Sequence, residues 1–195
     1  HISVNDVTKN FNSSTKNFNS SSPSFCMHNG QLIVNVRYVD YYIDDGGNYV
    51  NKEYITTHNV VSTSDDAEPF ILGYNEDHDC RYKGLEDVRL FEHNGDTYFT
   101  ANRGLSDGTM RVEYGTIDYA NKCVRSSFLT KTDGTRSIEK NWVLYNSESK
   151  RIVYQWAPFT TYEIGHNNML INKCEDTSVP PFFEHVRGST HGISV

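Results

Sequence analysis

The stretch Gly84-Leu85-Glu86-Asp87-Val88-Arg89-Leu90-Phe91, continuing through His93-Asn94-Gly95 to Tyr98-Phe99-Thr100-Ala101, reads as a strand, a tight turn and a second strand. Asn-Gly is the strongest short signal for a two-residue hairpin turn, because both central positions need positive φ. Successive strand residues point to opposite faces, so Asp87 and Arg89 are expected to share one face while Glu86 and Val88 share the other. That sets a carboxylate beside a guanidinium at the mouth of a strand. A salt bridge that fixes the strand against its neighbour accounts for the pair as well as a functional site does.

The same unit recurs along the chain. His28-Asn29-Gly30 is followed by the apolar run Leu32 to Tyr38, and His93-Asn94-Gly95 stands 65 residues later. A third copy runs from Asn141 to Tyr145, turns at Ser147-Glu148-Ser149 and continues from Arg151 to Trp156. Hairpins repeated at blade-like intervals are what a β-propeller predicts. Composition agrees: 13 Tyr and 10 Phe stand against 3 Met, and hydrophobic residues make up 36%. No amphipathic helical window exceeds about three turns, so the fold class is read as all-β, built of many short strands. At 195 residues the chain can bury a sizeable core as one domain.

Gly-x-Glu-Asp-x-Arg followed by a Tyr-x-Thr-Ala hairpin resembles the Gly-x-Glu-Asp-Pro-Arg signature of the five-bladed β-propeller mannoside phosphorylases and related glycosidases, glycoside hydrolase family 130. Val88 stands where that family has proline. Other segments resemble the family in the same chain order. Arg37 precedes Tyr38-Val39-Asp40 on an apolar strand, as a sugar-facing arginine does in the family's first blade. Glu139-Lys140-Asn141-Trp142-Val143-Leu144 is similar to its Arg-Asn-x-x-Leu segment, with lysine at the place of a phosphate-binding arginine. Arg187-Gly188-Ser189 is similar to its later Lys/Arg-Gly-x segment. Together these matches span roughly Ser24 to Val195.

The resemblance implies that Arg37, Asp87, Arg89, Lys140, Asn141 and Arg187 converge on a central channel as a cationic pocket around one carboxylate. Such a pocket suits a sugar plus an anion, since Arg and Lys hold phosphate through short charge-assisted hydrogen bonds. Asp87 is the implied general acid. Arg37, Asp40, Arg89, Asn141 and Trp156 are the implied substrate-binding residues, and Lys140, Asn141 and Arg187 the phosphate-binding set. Phosphate, or water in a hydrolase, would attack the anomeric carbon opposite the departing oxygen and invert it. The proton would pass through a sugar hydroxyl. Inorganic phosphate is then a co-substrate, and no other cofactor is implied. Arg89 beside Asp87 opposes this chemistry, because it holds the carboxylate ionised. Glu-Lys-Asn-Trp-Val and Arg-Gly-Ser-Thr are also similar to segments of propeller proteins of large DNA viruses and microbes, found near glycosyltransferases. The alternatives are therefore a non-catalytic glycan-binding or accessory propeller, or a structural part of a larger assembly such as a virion.

Five blades of about 40 to 50 residues each need more chain than this, so three to four blades are expected, truncated at the C-terminal end. The propeller is expected over residues 23–195. Ahead of it, Lys9-Asn10-Phe11-Asn12-Ser13-Ser14-Thr15 and Lys16-Asn17-Phe18-Asn19-Ser20-Ser21-Ser22 form a near-duplicate. Polar and poor in aliphatic residues, residues 1–22 read as an arm or linker that is able to contact a neighbouring chain.

A net charge of −7 argues against a nucleic-acid surface, which needs a basic stripe. No run of 18 apolar residues occurs to span a membrane. Cys26, Cys80, Cys123 and Cys174 are spaced by 54, 43 and 51 residues, without Cys-x-x-Cys. Three disulfide pairings are open, but wide spacing fits buried free thiols and a reducing, cytoplasmic compartment better. The sequons Asn12-Ser13-Ser14 and Asn19-Ser20-Ser21 point instead to secretion. Asp77-His78-Asp79-Cys80 packs metal-ligand types too closely for all to face one ion, so no metal site is expected. Trp142 and Trp156 suit stacking under sugar rings, although strand aromatics more commonly fill a core.

Overall fold

The computed structural model describes residues 18–64, 68–146, 150–186 and 188. The arm before Phe18, Arg187 and the end of the chain from Ser189 therefore lie outside the described residues. Chain order builds β1 (Asn19–His28), β2 (Gln31–Val39), a hairpin of β3 (Tyr42–Ile43) and β4 (Tyr49–Val50), β5 (Ile55–Thr63), β6 (Phe70–Ile71) and β7 (Tyr82–Lys83). Then come β8 (Glu86–His93), β9 (Asp96–Gly104), β10 (Met110–Asp118) and β11 (Cys123–Phe128). The last group is β12 (Thr130–Lys131), β13 (Val143–Asn146), β14 (Arg151–Trp156), β15 (Phe159–Ile164) and β16 (Met169–Asp176).

The chain is all-β, as expected, and its sheets are open. β1-β2-β5-β6, β8-β9-β10-β11 and β13-β14-β15-β16 each form an antiparallel meander. Short parallel pairs add β7 to β5 and β12 to β16. Both Asn-Gly hairpins form as read: φ is 49° and 79° at Asn29 and Gly30, and 52° and 82° at Asn94 and Gly95. These positive values give the turn the twist of its flanking strands. β1 begins at Asn19, so Asn19–Ser22, read as the end of a polar arm, belong to a strand paired with β2. Backbone ladder bonds do not require apolar side chains, and these four stay mostly exposed.

The middle sheet is buried on both faces, which is why Leu90 and Phe91 are adjacent and both inside. Leu90, Phe99, Ala101 and Ile117 pack with Cys26, Ile33, Val61 and Leu72 of the first sheet. Phe91, Val112 and Tyr114 pack with Trp142, Leu144, Ile152, Tyr162 and Leu170 of the third. Three consecutive meanders therefore pack face to face in chain order. A rung outside the strands ties the first two, with Gly73 N donating to Lys122 O at 2.8 Å and Val124 N to Gly73 O at 2.9 Å. Another leads into the third: Met110 N donates to Ser137 O at 2.9 Å and Glu139 N to Met110 O at 3.0 Å, which delivers the segment before β13 to the start of β10.

All four cysteines are free thiols, but only Cys26 is buried. Among the described residues no helix is long and apolar enough to cross a membrane.

Candidate functional site

Arg37 sits in the middle of the first sheet, paired with Ser21 on β1 and Asn59 on β5, and is 4% exposed. A guanidinium buried this deeply requires charged or polar partners. Its Nη1 donates to Asp87 Oδ1 at 2.9 Å, and its Nη2 lies 3.3 Å from Glu86 Oε1 and 3.4 Å from Thr57 Oγ1. Both carboxylates are delivered by the turn into β8. Gly84 makes that turn at φ +91°, where a Cβ would overlap the Thr57 carbonyl oxygen. Glycine is the residue that adopts this conformation without strain.

Asp87 itself is left-handed at φ +50°, and the ladder slips there. Glu86 opposes Asn102 on β9 whereas Arg89 opposes Thr100, so β8 carries one extra residue: a β-bulge. The bulge breaks the alternation, which corrects the expected side-by-side pairing of Asp87 with Arg89. The Asp87 carboxylate turns to Arg37. Arg89, 5% exposed, instead donates through Nη2 to Gly188 O at 2.8 Å and to Asn141 Oδ1 at 3.4 Å.

Asn102 and Asn141 complete the cluster. Asn102 Nδ2 reaches Asp87 Oδ2 and Asn141 Oδ1, each at 3.4 Å, while Asn141 N donates to Asn102 Oδ1 at 3.0 Å. Asn141 is held at φ +62°, a conformation asparagine tolerates better than most residues. Behind the carboxylates, Asn35 Nδ2 donates to Asn59 Oδ1 at 3.1 Å, and Asn59 Nδ2 to Leu85 O at 2.8 Å. This pins the backbone just before Glu86. Arg37, Asp87, Arg89 and Asn141, singled out in the sequence, are thus brought together from two sheets and the segment that leads into the third.

The cluster holds two adjacent carboxylates, not the single one expected. Burial pushes the Glu86 carboxyl above its ordinary value, with Arg37 and Lys140 opposing and Asp87 adding to the rise. Burial lowers Arg89, and the Asp87 charge opposes that. An acidic pair flanked by cations and amides can bind polyols and exchange protons with them.

Lys140, Asn141 and Trp156 line a neighbouring cleft of about 810 Å³ together with Arg136, Gln155 and Glu184. Trp156 packs edge-on to Phe183 at 5.9 Å between ring centroids, whereas Trp142 is 2% exposed core. Arg136, which the sequence reading passed over, is fixed by its Nη2 donating to Gln155 Oε1 at 2.9 Å. Asp40 stands apart from the cluster. Its Oδ1 accepts from Thr56 N at 2.8 Å, and it lines a separate cleft. Arg187 lies outside the described residues, although its neighbour Gly188 anchors Arg89.

Glu86 and Asn102 were missed by sequence reasoning. Counting back from the Asn94-Gly95 turn pairs Arg89 with Thr100, as observed, but sets Glu86 opposite Arg103 unless the bulge is known. In the Asp77 to Cys80 segment, Asp79 braces the fold: Oδ1 accepts from Arg103 Nη2 at 3.0 Å and from Gly84 N at 3.2 Å. Among the described residues no group of three His, Cys, Asp or Glu side chains gathers to hold a metal ion. Comparison with protein-family models and with curated proteins finds no match.

Proposed function

We propose that the chain is part of a five-bladed propeller of the mannoside phosphorylase type, with the Arg37-Glu86-Asp87-Asn102-Asn141 cluster as its glycan site. The observation that carries this reading is the convergence of residues from two successive four-stranded meanders, and of Asn141 from the segment leading into a third, onto one largely buried polar cluster. Such meanders, packed face to face, are the repeating unit of a propeller.

In this reading Asp87 gives its proton, through a sugar hydroxyl, to the departing glycosidic oxygen. Phosphate held by Lys140, Asn141 and Arg187 forms the new bond to the anomeric carbon as the glycosidic bond breaks, with inversion. Arg136, on the same cleft as Lys140, adds a cation for that anion. Glu86, the carboxyl that burial raises, supplies the second acidic group beside the first. Water replacing phosphate makes the same site a hydrolase.

A second reading, glycan binding without turnover, is favoured by one contact. Arg37 pairs with both carboxylates, 3.3 Å from Glu86 Oε1 and 2.9 Å from Asp87 Oδ1, so the acidic groups are already engaged in an ion-pair network that serves binding or structure without turnover. Turnover of mannobiose with and without phosphate separates the two. The catalytic reading expects release of mannose 1-phosphate or mannose, abolished in Asp87→Asn while sugar affinity survives. Sugar binding without product in the wild type would leave the binding reading, and absence of both would dismiss the site as a structural network.

A further inference from the structure

We propose that the β3-β4 hairpin is a tyrosine wall that extends this site to hold an oligosaccharide of several rings. The inference rests on the glycan reading above. β2 and β5 are antiparallel neighbours whose ends meet at Val39 and Thr57, so a connection of about two to five residues is the usual length there. Residues 40–54 instead leave the sheet. That excursion exposes Tyr42 at 50%, Ile43 at 55%, Tyr49 at 51% and Tyr54 at 75%. Exposed tyrosines grouped in this way offer ring faces on which a ligand can stack.

The hairpin is preorganised. Asp44 Oδ1 accepts from Gly46 N at 3.0 Å and from Asn48 N at 2.8 Å, and Asp44 N donates to Asn48 O at 3.0 Å. A ligand therefore spends little of its binding energy on ordering this loop.

The hairpin bounds a cleft of about 1130 Å³, lined by Asn19, Asp40, Tyr42, Tyr49, Asn51 and Tyr54 among others. This exceeds the roughly 1,000 Å³ upper range for drug-sized ligands, so one sugar ring would not fill it. Tyrosine faces alternating with amides and carboxylates fit a pyranose chain, whose C–H face stacks on a ring while its hydroxyl edge takes hydrogen bonds.

The cleft is separate from the acidic cluster but adjoins it through the end of β5. Tyr41 lies 5.4 Å from Tyr49 between ring centroids, and its phenol lies within the electrostatic reach of Arg37, Glu86 and Asp87. The strand ends join the two places as well, because Thr56 N holds Asp40 while Thr57 Oγ1 accepts from Arg37.

Calorimetric titration with mannose and mannotetraose, and with glucose and N-acetylglucosamine oligomers of the same lengths, tests the wall. The wild type should bind a tetrasaccharide about tenfold or more tightly than its monosaccharide. Tyr42→Ala/Tyr49→Ala and, separately, Tyr54→Ala should lose that advantage and keep the monosaccharide affinity. These side chains are exposed, so the thermal midpoint should hold, and Tyr54→Ala alone carries the test if the double variant fails to fold. Equal affinity for both lengths, or variants that keep the tetrasaccharide affinity, would overturn the wall while leaving the glycan reading intact. No binding of any saccharide would overturn the glycan reading and the wall with it.

Discussion

Arg37 Nη1 and Asp87 Oδ1 meet at 2.9 Å across a sequence separation of 50 residues, joining the first sheet to the bulge of the second. The guanidinium is almost wholly buried while the two carboxylates it serves are partly solvated. Loss of Arg37 therefore leaves two adjacent, partly shielded carboxylates facing each other without the cation that both contact.

Arg37→Met is expected to cost about 3 kcal/mol at neutral pH, because it strands two adjacent carboxylates. Urea unfolding checks this. The cost should shrink in acid, where the carboxyls are protonated and no longer repel. A loss under about 1 kcal/mol at neutral pH would mean that the pair is solvated and the contact incidental.

Glu86 gives the fold a defined pH dependence. Its carboxyl is raised above the ordinary 4.5, so over that window the folded state holds a proton the unfolded state has released. Its contribution is complete below about 4.5 and is lost as pH rises through the folded value, giving a negative slope. The urea midpoint of the wild type minus that of Glu86→Gln should accordingly fall as pH rises above about 4.5. A difference that rises over that range would show Glu86 to be held ionised.

Gly84→Ala should destabilise by about 3 kcal/mol or more, since it combines a left-handed φ of +91° with a Cβ overlapping the Thr57 carbonyl. The backbone has no room to yield, because Asn59 fixes Leu85 O and Asp79 accepts from Gly84 N. Thermal unfolding measures the effect. A midpoint equal to that of the wild type would show that the turn into β8 is slack.

Native thiol labelling should separate the cysteines. Burial pushes the Cys26 thiol up to about 11, so at mildly alkaline pH it stays protonated as well as covered, whereas Cys174 is exposed. Iodoacetamide followed by peptide mass analysis should find Cys174 modified first and Cys26 only after denaturation. Prompt labelling of Cys26 in the native protein would contradict the packing between the first two sheets.

Local chemistry by itself determined the strand content and two of the hairpins. Asn29-Gly30 and Asn94-Gly95 announce positive φ at the level of single residues, and the apolar and aromatic runs around Leu90 and Phe99 mark strands without knowledge of distant chain. Resemblance and local pattern also drew Arg37, Asp87, Arg89 and Asn141 out of the chain as a set. Only the tertiary structure decided who pairs with whom. A bulge is one inserted residue stabilised by what packs around it, and no periodicity marks it, so the partner of Asp87 changed from Arg89 to Arg37 and Asn102 entered the site. The burial that raises Glu86 and the exposure that leaves Tyr42, Tyr49 and Tyr54 around one cleft are likewise properties of neighbouring sheets and loops. Partners brought close across 50 residues of sequence are set by packing, and packing is not written in any local stretch of sequence.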